Sequence, residues 1–106
     1  MNQIYKIEFY VPQTHVDVVK QAIFAAGAGK IGNYDCCAWQ TTAGTGQFRP
    51  CSGSKPFIGK LNKIEYVDEV KVELVCQAEF IDATITALRT SHPYETPALQ
   101  YWLVKT

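Results

Sequence analysis

In two stretches of this chain apolar side chains recur at every second position: Tyr5, Ile7, Phe9 and Val11, then Val70, Val72, Leu74 and Cys76. That period belongs to strands with one face in a core and the other outside it. A helical period follows each of them. After Pro12 ends the first strand, Thr14 opens a helix with Asp17 three residues on, a start that resembles a capping box. Val16, Val19, Ile23 and Ala26 form its apolar stripe, and Gly27 suits its C-terminal cap. A second helix is expected over 78–91, with Phe80, Ile81, Ile85 and Leu88 inward, because Pro93 disfavours helical backbone at His92. Residues 34–42 are expected as a strand, 43–62 as a long loop and 63–76 as the next strand. Leu99, Tyr101 and Leu103 mark the last. Strand-helix-strand, twice over, specifies a ferredoxin-like α+β fold with one antiparallel sheet and both helices on one face.

The sheet's other face then carries Lys6, Glu8, Tyr10, Glu69, Lys71, Glu73 and Val75, with Trp102 and Val104 from the last strand. Opposite charges there can pair across strands. The mixture of aromatic and charged groups resembles an interface more than a bare solvent face.

With 106 residues the chain makes one domain, 1–106, and ten basic against ten acidic side chains leave no net charge. Phosphate neutralisation drives nucleic-acid binding and needs a basic excess, so a nucleic-acid partner is not expected. No apolar run approaches about 18 residues, so no membrane span is expected. The segment from Met1 to Lys6 lacks the pattern of a signal peptide. Cys36, Cys37, Cys51 and Cys76 are therefore expected as reduced thiols, most of them buried, and the compartment as cytoplasmic.

Two strings carry candidate chemistry. His92-Pro93-Tyr94-Glu95 places an imidazole, a phenol and a carboxylate around a proline at a helix end. His92 and Glu95 are candidate ligands of a divalent metal, although a closed zinc site needs four; candidates for a third are Glu73, a cysteine or a neighbouring subunit. The plainer reading is that His92 caps the helix carbonyls while Tyr94 and Glu95 anchor the turn. Gly27-Ala28-Gly29-Lys30-Ile31-Gly32 follows a helix and leads into a strand, the reverse of a phosphate loop, so a glycine-dependent turn is the better reading. Asn33 and Tyr34 beside it are candidates for lining a pocket. The long loop holds Arg49, Lys55, Lys60 and Lys63; a solvated loop is the more common meaning of such a run, the alternative is attraction of an anionic small molecule or a partner's acidic patch, and Phe48 and Phe57 point to packing on a partner or neighbouring subunit.

Gly27-Ala28-Gly29-Lys30-Ile31-Gly32-Asn33-Tyr34-Asp35-Cys36, Gly44-Thr45-Gly46-Gln47-Phe48-Arg49-Pro50 and His92-Pro93-Tyr94-Glu95 stand in this order and spacing in a known domain. Over essentially its whole length the chain resembles the domain inserted in the middle of many Nif-three-like proteins of the YqfO type, and its free-standing relatives. The resemblance implies a PII/CutA-like form of the ferredoxin-like fold that assembles through its sheets as trimers. Full-length relatives carry a di-metal site on flanking domains, and no counterpart of those domains occurs in this sequence. Hydrolase activity, including the GTP cyclohydrolase label of some members, is therefore not carried over. The family string commonly reads His-Pro-Tyr-Glu-Glu, whereas here Thr96 takes the fifth position and removes one of two adjacent carboxylates.

The expectation is a small homo-oligomer, dimer or trimer, joined through the open sheet face and acting as a binding, sensor or accessory module rather than an enzyme. Its ligand or metal site at subunit borders would use Asn33, Tyr34, Glu73, His92, Tyr94 and Glu95. Two alternatives are an enzyme completed across subunits, with His92 as acid or base and Glu95 or Glu73 as partner, and an interaction module docking through residues 43–62. The leading reading requires the glycine-rich string and the His-Pro-Tyr-Glu string to meet around one polar cleft.

Overall fold

The computed structural model describes residues 3–106; the start of the signal-peptide reading, Met1 and Asn2, lies outside them. Five strands and two helices follow one another as β1 (Ile4–Pro12), α1 (Val16–Ala25), β2 (Trp39–Gln40), β3 (Gly44–Phe48), β4 (Glu65–Gln77), α2 (Ile81–Ser91) and β5 (Leu99–Val104). The sheet runs β2-β4-β1-β5, with β3 also paired to β4, and every pairing is antiparallel. This is the α+β fold expected.

Register sets the two faces. Ile7 faces Leu74, Phe9 faces Val72 and Val11 faces Val70, so the alternating apolar sets of β1 and β4 coincide. They close a core with Val16, Val19 and Ile23 of α1 and Ile81, Ile85 and Leu88 of α2. Burying each such side chain stabilises by roughly 1.5–3 kcal/mol before chain entropy is counted.

Both helix ends follow sequence chemistry, with corrections. At the end of α1, Ala28 N–H donates to Ile23 O and Gly27 N–H to Phe24 O, both at 3.1 Å. This is a Schellman cap, and Gly27 has φ +118°. The Thr14 side chain makes no capping bond; its hydroxyl lies 2.8 Å from His15 Nδ1, and a single 3-10 turn precedes the helix. His92 leaves helical geometry at ψ 137°, as Pro93 requires.

The middle of the chain departs most from expectation. Only Trp39–Gln40 of the segment 34–42 is strand. Cys36 has φ +54°, a conformation incompatible with a continuous strand. Conversely, Gly44–Phe48, inside the expected loop, pairs with Glu65–Glu69 of β4. Glycines at 44 and 46 hide strand character from a propensity reading, and Gly46 leaves room for the Glu69 side chain of β4. β4 thus runs 13 residues, and its first part extends beyond its pairing with β1. Of the four cysteines only Cys76 is buried, with its thiol pushed up by that burial; Cys36 and Cys51 are exposed.

On the uncovered face Glu8 lies directly opposite Glu73, a like-charge pairing. Lys71 Nζ sits 3.2 Å from Glu8 and Lys6 Nζ 3.7 Å from Glu73, so each carboxylate gains a diagonal cation. Such half-exposed pairs contribute little stability individually, but they neutralise the face. β5 is an edge strand with apolar side chains exposed on both sides, Trp102 at 44% and Leu103 at 51%.

Candidate functional site: a cleft behind the His-Pro-Tyr-Glu turn

The turn after α2 and the loop after β3 close around a pocket of about 260 Å³. Its walls include the rings of Tyr10, Phe48, Phe57 and Tyr94, and its polar groups include Glu69, Glu95 and Ser54. Phe48 and Phe57 stack at a tilt against Tyr94, with centroids 5.7 and 6.5 Å away.

His92 is the pivot of the turn. Only 5% exposed, it bonds through Nε2 to Tyr10 O at 2.7 Å, while Nδ1 accepts from Tyr94 N–H at 3.1 Å. Only the neutral ring with its proton on Nε2 satisfies both partners. Burial pushes the His92 pKa down, partly opposed by the bond to Tyr10 and by Glu69, which agrees with that tautomer. His92 caps the helix through its backbone, whose N–H donates to Leu88 O at 3.0 Å, and not through its ring. Ser91 Oγ also donates to Ala87 O at 2.7 Å, and the imidazole fastens the turn to β1.

Tyr94 Oη donates to Glu69 Oε2 at 2.8 Å. Burial and the adjacent Glu69 carboxylate raise the phenol's pKa far above its usual range, so the hydroxyl remains a donor. Glu95 faces the loop, where Lys55 N–H donates to its Oε1 at 2.9 Å. Gly46 makes room for this arrangement, because a Cβ there would overlap the Glu69 carboxylate. Ser54 Oγ is withdrawn from solvent without a hydrogen-bond partner.

The six expected site residues do not share one cavity within the chain. Tyr94 and Glu95 line the cleft, and His92 stands behind it. Glu73 lies on the open sheet face beside Lys6, four residues along β4 from Glu69, or about 13 Å at the strand rise. Asn33 and Tyr34 belong to a tight turn in which Ile31 and Tyr34 exchange backbone bonds, and Tyr34 is 75% exposed.

The glycine string is elsewhere. Gly29 N–H bonds Val75 O, and a Cβ on Gly27 would overlap Phe80 just before α2. His92 follows the other end of α2, about 16 Å away by helical rise. The two strings therefore lie at opposite ends of one helix. Metal ligation by His92 is not ready-made either, since both ring nitrogens are engaged and Glu95 turns to the loop. Among the described residues no three His, Cys, Asp or Glu side chains converge.

What sequence reasoning missed as site residues are Glu69, Phe48, Phe57, Tyr10 and Ser54. The available signal was Gly46, whose bare backbone lets the Glu69 side chain lie across it.

No protein-family model matches the chain. A protein named GTP cyclohydrolase 1 type 2 homolog from Halalkalibacterium halodurans is 44% identical over 95 residues, covering 90% of this chain and 25% of that protein. The protein of the same name from Mycobacterium leprae is 48% identical over 89 residues, covering 84% of this chain and 23% of its own length. Among solved structures, a Bacillus cereus protein related to NIF3 superposes over 99% of this chain and 26% of its own, with TM-score 0.82 and 34% identity. The chain is a homologue of one segment of the Nif-three-like proteins. It spans about a quarter of the length of the curated relatives it matches. CutA from Xylella fastidiosa shares the fold, with TM-score 0.68 at 21% identity over 97% of this chain and 85% of that one. The Nif-three-like homology thus accounts for the fold. Among the described residues no helix is long and apolar enough to cross a membrane.

Proposed function

We propose that this Nif-three-like segment is a binding module that self-associates through β5 and the open sheet face and takes a small ligand in the cleft behind the His-Pro-Tyr-Glu turn. The observation that carries the ligand reading is the construction of that cleft. A ring of aromatic walls surrounds a few fixed polar groups, the usual make-up of a small-molecule site. Tyr94 and Glu69 orient one another there, and His92 locks the turn from behind. Self-association is supported by the exposed apolar residues on both sides of β5 and by the paired charges of the neighbouring face.

The role is one of sensing or support rather than catalysis, because the neutral His92 has no free nitrogen for acid-base work. A small organic ligand suits this geometry better than a metal held by His92 and Glu95. Amide chemical-shift mapping with a panel of small molecules and divalent ions tests the reading. Saturable changes centred on Phe48, Lys55 and Tyr94 support it. Changes confined to Asn33, Tyr34 and Glu73, or none, reject it.

A further inference from the structure

We propose that the occupant of the cleft is a small organic cation on a flat ring, an amidinium, guanidinium or ring-borne ammonium. This rests on the cleft reading and adds the chemical class of ligand.

Charge is the first reason. Two carboxylates, Glu69 and Glu95, line the cleft, and no Lys, Arg or His is among the lining residues. The hydrogen bonds they do make bring no positive charge. Glu69 Oε2 accepts from the Tyr94 hydroxyl and Glu95 Oε1 from the Lys55 backbone amide, and both donors are neutral. Glu69 Oε1 and Glu95 Oε2 remain as acceptors. Arg49, Lys55, Lys60 and Lys63, whose alternative reading along the sequence is an anion site, all lie outside the lining.

The walls give the second reason. The rings of Phe48, Phe57 and Tyr94 offer π faces that attract a cation and stack on a planar group, while the Tyr10 ring already has Lys71 Nζ 6.0 Å from its centroid. A third comes from Ser54. Its hydroxyl is buried and unpartnered while lining the cleft, and a buried polar group of this kind is normally satisfied. An N–H of the ligand would satisfy it. Gly46 supplies the fourth, because a side chain there would displace the Glu69 carboxylate from its place along β3. An anionic ligand would meet like charge at both carboxylates.

Three isosteric probes test the class on the full chain: benzamidine, the neutral benzamide and the anionic benzoate, each followed by calorimetry and by amide shifts. Benzamidine is expected to bind saturably, moving the amides of Phe48, Lys55 and Tyr94, with benzamide weaker by about tenfold and benzoate weaker still. Glu69→Gln should weaken benzamidine by about tenfold and leave benzamide unchanged. If that variant fails to fold, Glu95→Gln at the exposed rim carries the same comparison. Equal binding of all three probes at these amides overturns the cation class and leaves the cleft reading standing. Failure of all three to move these amides at millimolar concentration overturns both.

Discussion

Tyr94 and Glu69, 25 residues apart in the chain, meet at 2.8 Å between the turn after α2 and the strand that carries β3. The bond runs from a neutral hydroxyl to a charged acceptor, with Phe48 stacked beside the ring. It fastens the turn to β4 with a single side-chain pair. Tyr94→Phe keeps the ring and removes the bond, and should cost about 1–2 kcal/mol in urea unfolding. A loss below the error of the measurement would show that water replaces the hydroxyl.

Gly46→Ala should disturb the same pair from the other side. Its methyl would overlap the Glu69 carboxylate, so the expected result is shifted Tyr94 and Phe48 resonances with the rest of the amide spectrum retained. Unchanged Tyr94 signals would show that Glu69 can move aside without releasing its partner.

Stability should depend on pH through His92. Its pKa is lower in the folded protein than in the unfolded chain, so the unfolded chain binds the proton more readily. The contribution of the neutral ring is then complete above the unfolded value of about 6.5 and is lost as pH falls through the folded value. Urea midpoints at pH 7.5 and 5.5 should differ in that direction. In His92→Gln the difference should shrink, with lower stability at both pH values because Tyr10 O and Tyr94 N–H lose their shared partner.

Gly27→Ala tests the cap of α1. Positive φ and the Phe80 ring both oppose a Cβ at this position. The loss should exceed about 1 kcal/mol. A smaller value would mean that Phe80 swings away freely.

Self-association should respond to the edge strand. Trp102→Glu and Leu103→Glu place charge on opposite sides of β5, where apolar groups are now exposed. Sedimentation at matched concentration should show both variants shifted toward monomer. A wild-type chain that is monomeric at high micromolar concentration would remove the premise.

The fold was legible because burial repeats with a clear period wherever both helices cover the sheet. Val70, Val72, Leu74 and Cys76 advertise β4 because each meets a core neighbour. β3 was illegible for the opposite reason. Its Gly46 serves Glu69 rather than a core, and no alternation of hydrophobic residues arises. Half of the site was visible in His-Pro-Tyr-Glu, where proline fixes the turn. The convergence of that turn with the glycine string could not be judged without the direction of α2, which places them at its two ends. The basic character of residues 49–63 leaves the cleft lining open for a related reason, since charge counted along a loop says nothing about which side chains face inward.

The link between Glu95 and the loop runs to a main-chain amide, that of Lys55, and not to a lysine ammonium. Nineteen of the twenty amino acids supply the same donor, and only proline withholds it. Evolution is therefore at liberty to rewrite the outward character of this loop, trading one recognition surface for another, while the latch beneath it holds unchanged.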